Sequence, residues 1–282
     1  MIGRLLAGVR TLMPVRFEQR PPLWAPDFPF LLLWSHKAAS TALAQWFFAH
    51  IGSPQLREGG LDAARRYAGL GIHAYQFGTH CRSPGYLRHC RRALEGGLPV
   101  IKFVRDPAAR AFSGFLATRR GVVLARPEFW GARVSRQVLA WKGDTRVDGA
   151  YSFADFIEWM AHTHRLRQNP HVRAQHMSFE SGRRIENVPI EALADQLAGL
   201  EQRFGLPGLS AQTGLLASGH HRPRYEGLAG DALEALLLQP VLPGAYDTQR
   251  APGADSALLS GTGIGDRLRV VLAADYCAYP FY

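Results

Sequence analysis

Residues 28–52 read FPFLLLWSHKAASTALAQWFFAHIG, and this stretch decides the fold. Phe28 to Trp34 is short, continuously apolar and interrupted only by a proline near its start, the pattern of a strand buried on both faces. Ser40 to Ile51 carries Leu43, Trp46, Phe47 and Ile51 at helical spacing, and Gly52 and Pro54 stop it. The turn between them is His36-Lys37-Ala38-Ala39-Ser40-Thr41. A turn that leads from a buried strand straight into a helix aims free backbone N–H groups at one point, and the helix dipole makes that point attractive to anions. Lys37 adds a mobile ammonium, and Ser40 and Thr41 add hydroxyl donors. The pattern suits a phosphate or sulfate cradle; an ordinary capped helix with a solvated Lys37 is the plain alternative. It is not a Walker A loop, because GxxxxGK[ST] is absent and Lys37 precedes the small residues.

A second unit of the same kind follows. Leu98 to Val104, LPVIKFV, reads as another buried strand. Asp106 is a natural N-cap and Pro107 a natural first helical residue, so a helix is expected over 107–119 with Phe112, Phe115 and Leu116 on its apolar side. Arg105 stands at the strand end, and Ser113 lies two turns into the helix, one turn after Arg110. Arg105 offers a planar fork for a terminal phosphate and Ser113 a second donor. The plain alternative pairs Arg105 with a carboxylate and leaves Ser113 on the surface. Two anion sites at strand ends suggest a ligand with two separated phosphates.

Elsewhere the pattern predicts a helix over 153–160, strands over 171–179 and 184–188, an amphipathic helix over 190–204, a loop over 211–230 and a closing helix over 266–276. The stretch between the two units reads as loose, and the signal weakens after residue 120. Strands alternating with helices predict an α/β fold, a central parallel sheet with helices on both faces. One domain is expected over 28–282, preceded by a basic arm over 1–27.

Composition narrows the classes. The chain has 282 residues, 47% of them hydrophobic and 20% charged, which excludes a disordered chain. Cys81, Cys90 and Cys277 cannot staple this length and lack metal-ligand spacing, so no metal site is expected and the thiols read as reduced, in a cytoplasm. No apolar run approaches the roughly 20 residues that span a bilayer, and Arg4, Arg10 and Arg16 interrupt any signal-peptide core. Leu5, Leu6, Val9, Leu12 and Met13 make a short stripe in the arm, which reads as a surface helix packed on the body, with weak peripheral membrane contact as the alternative. The net charge of +10 points to an anionic partner.

Strand-HKAAST-helix followed by VIKFVRDPAARAFSGF resembles the sulfotransferase superfamily that uses 3′-phosphoadenosine-5′-phosphosulfate (PAPS). The first element is similar to its 5′-phosphosulfate loop, with Ala39 where many relatives have Gly. The second is similar to its Arg-x-Pro-x-x-Arg-x-x-Ser 3′-phosphate motif, matched by Arg105, Pro107, Arg110 and Ser113. SFADFIEWM, NPHVRAQ, RIENVPIEAL and DRLRVVLAADYCAYPFY resemble segments of the carbohydrate, Golgi-type branch and its bacterial relatives, so the likeness runs over roughly residues 28–282. The resemblance implies a P-loop-like sheet and PAPS as sulfuryl donor, with no metal. Lys37, Ala38, Ala39, Ser40 and Thr41 would hold the 5′ group, and Arg105 and Ser113 the 3′-phosphate. It also implies a His or Glu base that takes the acceptor proton. His80, in FGTHCRSPGY upstream of Arg105, is the first choice; His73 and Glu58 are the runners-up. The basic run His220-His221-Arg222-Pro223-Arg224 suits a loop closing over the nucleotide through Arg222 and Arg224, or equally a solvated loop. His171 and Arg173 face the same cleft in this reading.

The leading function is therefore sulfuryl transfer from PAPS to a hydroxyl of a carbohydrate or small metabolite. A P-loop kinase-like phosphotransferase is the second reading, disfavoured by the missing Walker glycines and acidic Mg²⁺ ligand. A non-enzymatic basic protein that binds nucleic acid or membrane is the third. It calls for clustered charge, whereas these arginines are dispersed, so no nucleic-acid partner is expected. The motifs leave the acceptor open.

Overall fold

The computed structural model describes residues 21–52, 71–211, 224–225, 230–247 and 251–282. Its centre is a parallel sheet of β1 (Leu31–Trp34), β2 (Val100–Val104) and β3 (Glu186–Pro189), in that spatial order. Trp34 lies beside Phe103, and Phe103 beside Val188, so β1 and β2 end at the same level. The alternation of side chains sorts β1 between two layers. Leu32 and Trp34 join Leu43, Trp46 and Phe47 of α1 (Ser40–His50) and Leu197 of α8 (Leu193–Phe204) on one face. Leu31 and Leu33 join Tyr86 and Cys90 of α3 (Tyr86–Glu95) on the other. This is the expected α/β arrangement, with helices packed against both faces of a parallel sheet.

Between β2 and β3 the chain builds a helical layer. It comprises α4 (Pro107–Thr118), the single turn α5 (Val122–Ala125), α6 (Trp130–Trp141) and α7 (Phe153–His162). Phe112, Phe115, Val138, Phe153 and Phe156 form its core, closed by Leu233 of α9 (Gly230–Leu237) and Leu268 of α10 (Gly263–Val271). Asp106 caps α4 as its sequence demands: its Oδ1 accepts from the Ala109 amide at 2.7 Å, and Pro107 follows. Ser152 and Asp155 cap α7 reciprocally.

Several elements depart from the pattern reading. The 71–97 region holds α2 (Gly71–Gly78) and α3, and the weak stretch after residue 120 holds α6. The span 171–179 is not a strand. Its backbone groups are taken by side chains instead of a ladder: Arg173 O and Pro170 O by Arg110, Gln175 O by Lys102, and the Gln175 and His176 amides by Asp275. The closing helix is broken at Leu272 (φ −108°, ψ 26°) into α10 and α11 (Ala273–Ala278). The break lets the buried Asp275 carboxylate face those two amides, at 2.8 and 2.7 Å.

The segment expected as an arm is partly described. Leu23 forms an antiparallel bridge to Leu32, and Tyr86 donates its hydroxyl to the Pro22 carbonyl at 2.7 Å, so residues 22–25 dock on the body. The earlier arm residues, 1–20, lie outside the described residues, as does most of 211–230. No helix among the described residues is long and apolar enough to cross a membrane.

Candidate functional site

The C-terminal ends of β1 and β2 are neighbours, so the turn after β1 and Arg105 after β2 meet. The turn is unusual in its backbone. Lys37 (φ 68°) and Ala39 (φ 51°) both occupy the left-handed region, which costs an L-residue roughly 1–2 kcal/mol. Two arginines hold it there. Arg110 Nε donates to the His36 carbonyl at 2.8 Å and Arg105 Nη1 to the Lys37 carbonyl at 3.1 Å. With successive carbonyls turned toward the arginines, the following amides point the other way. Ala38 N–H returns to the Ser35 carbonyl at 3.1 Å. The amides of Ala39, Ser40, Thr41 and Ala42 make no hydrogen bond among the described residues, and no side chain caps α1. They form an open set of donors at the positive end of an 11-residue helix.

Lys37 adds an ammonium to this turn. Burial and then the charges of Arg105, Arg120 and Arg110, all of its own sign, pull its pKa down to about 8. A cluster of like charges held together in this way is relieved by an anion. Arg110 is fully buried; its guanidinium donates to the carbonyls of His36, Arg173 and Pro170, and burial lowers its pKa to about 10. It is a brace for the turn rather than a ligand contact.

Gln175 fixes Arg105. Its side-chain amide is bonded to the Arg105 backbone on both sides, accepting from the amide at 3.0 Å and donating to the carbonyl at 2.7 Å. Ser113 is half-buried one turn beyond Arg110 on α4, and its hydroxyl makes no hydrogen bond among the described residues. Beside it, Gly114 lies against the His171 carbonyl and Val172, so that a Cβ would meet them at 3.3 and 3.2 Å. His171 in turn stacks between His36 (4.0 Å between ring centroids) and Trp130 (4.1 Å). The expected convergence of His171 on the cleft therefore runs through His36, while Arg173 is buried.

Of the two candidate base histidines, His73 and not His80 reaches the turn. His73 Nε2 lies 3.1 Å from Thr41 Oγ1, and its Nδ1 lies 3.2 Å from Gln76 Oε1. Both ring nitrogens are thus engaged, Nδ1 by the Gln76 side-chain amide and Nε2 by the Thr41 hydroxyl. His80 is placed further down α1. It is wedged among Phe47, Phe48 and Tyr86, and its Nε2 donates to the Trp24 carbonyl at 3.0 Å. Burial lowers its pKa, the Trp24 bond opposing. Phe47 is two turns from the start of α1, about 10 Å along the axis. The structure thus joins Lys37, Ala38, Ala39, Ser40, Thr41 and Arg105, leaves Ser113 on α4 one turn beyond Arg110, and sets His80 apart from them. Glu58 and Arg222 lie outside the described residues. For Arg224 only its place in a two-residue strand, parallel to Ala251–Pro252, is described.

Pattern reading gave no role to Gln175, Trp130, Asp275 or Arg120. The first three act through contacts distant in sequence. No group of histidine, cysteine, aspartate and glutamate among the described residues could hold a metal ion. No family model, no curated protein and no solved structure matches this chain.

Proposed function

We propose that this protein transfers a sulfuryl group from PAPS to an acceptor hydroxyl, on a P-loop-like α/β domain spanning residues 28–282. The observation that carries the reading is the pairing of two anion sites at neighbouring strand ends. One is the strained turn with its open amides and Lys37. The other is Arg105, bracketed by Gln175, with Ser113 on the adjoining helix. Their chemistry fits a nucleotide with phosphates at both ends. The donor amides suit the 5′ oxygens, and the guanidinium fork suits the 3′-phosphate.

PAPS supplies an activated sulfuryl group that an oxygen nucleophile displaces in line. Lys37 donates from its ammonium to the oxygen on which charge develops, a contribution realised in the transition state. The amides of Ala39, Ser40 and Thr41 orient the same group and need no reorganisation. His73 takes the acceptor proton at Nε2 once the acceptor hydroxyl replaces Thr41 Oγ1 as its partner, with Nδ1 held by the Gln76 side-chain amide. His80 holds the docked segment around Trp24 in place.

A kinase-like phosphotransferase needs a carboxylate to bring Mg²⁺ to the turn, and the charges acting on Lys37 are all cations. A reducing, cytoplasmic setting suits the free thiols of Cys81, Cys90 and Cys277.

The test is thermal stabilisation by ligands, followed by transfer. Binding raises the melting temperature by mass action. 3′,5′-ADP should raise it well above 5′-AMP, Mg-ATP or an oligonucleotide at equal concentration. Incubation with PAPS and a panel of glycans and small alcohols should then give a sulfated product by mass spectrometry. A larger shift with Mg-ATP or oligonucleotide than with 3′,5′-ADP would sink the assignment.

A further inference from the structure

Helices α1 and α2 run side by side in parallel, and their contacts set the register between them. Thr41 meets His73 near the start of both helices, at 3.1 Å. Phe48, near the end of α1, packs on Tyr75 and on His80 just beyond α2, with ring centroids 5.0 and 5.1 Å apart. Gln45 lies between Thr41 and Phe48 on one stripe of α1, so it faces α2. One turn past Thr41 is Gln45, and one turn past His73 is Gln76. The two amides therefore stand at one level, about 5 Å along the axes from the Thr41–His73 contact.

Both glutamines are buried, Gln76 completely. Gln76 Oε1 lies 3.2 Å from His73 Nδ1, while its Nε2 has no hydrogen-bond partner among the described residues. Gln45 buries its Oε1, also without a partner among them. A donor is open on one helix and an acceptor on the other. Phe77 stacks on the His73 ring at 6.1 Å with 14° between the planes, so the plane of the imidazole is set and the placement of its proton is what remains to decide.

A glutamine amide alone can turn either of its atoms toward Nδ1. With the oxygen there, Nδ1 holds the proton and Nε2 keeps its lone pair. With the nitrogen there, Nε2 is already protonated and can take no proton from an acceptor. An oxygen presented by Gln45 calls for the Gln76 nitrogen on that side, which turns the Gln76 oxygen to the imidazole.

We propose that Gln45 and Gln76 form a relay of side-chain amides across the α1–α2 interface, joined directly or through one bridging water, that keeps the His73 proton on Nδ1 and leaves Nε2 free to act as base. This inference rests on the sulfotransferase reading with His73 in that role. As the acceptor oxygen bonds to sulfur, its proton passes to Nε2 and 3′,5′-ADP leaves with the electron pair of the broken bond. The imidazolium so formed keeps Nδ1–H on the Gln76 oxygen, and no amide has to turn. Neither glutamine touches a reacting atom; both are positioning residues.

The test reads the proton directly. In the full chain labelled with nitrogen-15 in histidine, long-range proton–nitrogen spectra at alkaline pH separate the two tautomers, and His73→Gln assigns the signal. Nε2 of His73 should appear as an unprotonated nitrogen. Gln76→Met, of equal length, should shift the population to the Nε2–H form, and Gln45→Leu should do so in part. Gln76→Glu, whose carboxylate only accepts, should hold the proton on Nδ1 even when combined with Gln45→Leu. Transfer from PAPS should follow the tautomer. The kcat should fall roughly 10–100-fold in Q76M and about threefold or more in Q45L, and Gln76→Glu should recover most of it, while 3′,5′-ADP affinity stays within about twofold throughout. If Q76M does not fold, Gln45→Leu with and without Gln76→Glu decides. The inference is overturned if His73 in the unmodified chain carries its proton on Nε2, if Q76M or Q45L leaves the tautomer as it was, or if the tautomer shifts and kcat does not. Failure of the unmodified chain to bind 3′,5′-ADP is a different result, and it removes the sulfotransferase reading together with this inference.

Discussion

Arg105 donates from its guanidinium to the main-chain carbonyl of Lys37, 3.1 Å away. The contact crosses from the end of β2 to the end of β1 and ties the two candidate anion sites into one unit. The left-handed Lys37 is held by a residue that is itself a phosphate ligand in the proposed function. Loss of Arg105 therefore removes a ligand contact and relaxes the turn at once.

The first prediction follows from this double role. Arg105→Ala should weaken 5′-AMP several-fold through the relaxed turn and weaken 3′,5′-ADP by a further factor of about ten or more, the worth of a charged hydrogen bond. Calorimetry with both nucleotides reads the difference. Equal losses for the two would make Arg105 purely structural.

Lys37 gives a pH signature. Its pKa of about 8 in the free protein lies below the ordinary lysine value. Anions bind its charged form, so binding is complete below about pH 8 and requires proton uptake above it. The affinity for 3′,5′-ADP should fall as pH rises from 8 toward 10, by up to about tenfold per unit from this group. Lys37→Met should bind weakly at every pH and flatten the profile. A flat profile in the unmodified protein would place the ammonium away from the nucleotide.

The two histidines separate in a rate experiment. His73→Ala should lower transfer by roughly 10²–10⁴-fold and leave 3′,5′-ADP affinity nearly unchanged. His80→Ala should cost stability, because it leaves the Trp24 carbonyl without its partner and opens a gap between Phe47 and Phe48, while transfer per folded molecule persists. The opposite pattern returns the base role to His80.

How much of this was legible in the sequence depends on the distance over which each feature is decided. The buried run before Trp34, the stop at Gly52 and the Asp106-Pro107 cap are local, and they read correctly. So did the convergence of Lys37 and Arg105, because buried parallel strands must end side by side. Helix α3 was harder to read. Its buried face is little more than Tyr86 and Cys90, four apart, amid a run of arginines and histidine. Helix α6 did carry a signal, Val134, Ser135, Val138 and Leu139 at spacings of three and four, but small and cationic residues dilute it. The span 171–179 is apolar enough for a strand. Its form is set by Arg110, Lys102 and Asp275 from other parts of the chain, which no local pattern encodes. The choice between His73 and His80 likewise turns on which helix face meets Thr41.

Ala39 offers a substitution that should help. It holds φ 51° with no side-chain cap. Glycine removes the left-handed penalty of roughly 1–2 kcal/mol but adds unfolded-state entropy of about 0.4–1 kcal/mol. Ala39→Gly should therefore be neutral to about 1.5 kcal/mol stabilising, with 3′,5′-ADP binding retained or tightened. Denaturant titration measures the first and calorimetry the second. Clear destabilisation would contradict the left-handed assignment.

Acid should loosen the fold at two buried imidazoles. Burial holds His50 below its ordinary pKa despite its bond to Glu201, and holds His80 below it despite Trp24. A depressed folded-state pKa means the unfolded chain binds the proton more readily. Their contribution is thus complete above the unfolded value of about 6.5 and is lost as pH falls through the folded values. Glu201 adds to the loss at lower pH. Its carboxylate accepts from Trp46 at 2.7 Å, from the Ser210 hydroxyl at 2.6 Å and from the Ser210 amide at 2.8 Å, and these bonds outweigh burial to lower its pKa. The melting temperature should drop between about pH 6.5 and 5, and a His50→Gln, His80→Gln variant should show a shallower drop. An unchanged melting temperature across that range would contradict this account.

The fully buried Lys102 of β2 bears on how the molecule comes into being. Its ammonium donates to Glu180, to the Gln175 carbonyl at 2.7 Å and to the Tyr279 hydroxyl at 2.9 Å, and Asp275 grips the same loop. Tyr282 completes the closure by donating to Glu191 at 2.5 Å, beside the end of β2. A ribosome making this chain releases the turn and strands β1 and β2 long before it releases the residues that brace them. Until Asp275 and Tyr279 emerge, the lysine lacks its phenol partner, the loop that carries Gln175 lacks its anchor, and Arg105 has no fixed backbone. Late, long-range contacts of this kind slow folding and leave a collapsed intermediate exposed. The turn after β1 and Arg105 after β2 therefore reach their final geometry only after residues 275–279 have folded back onto them.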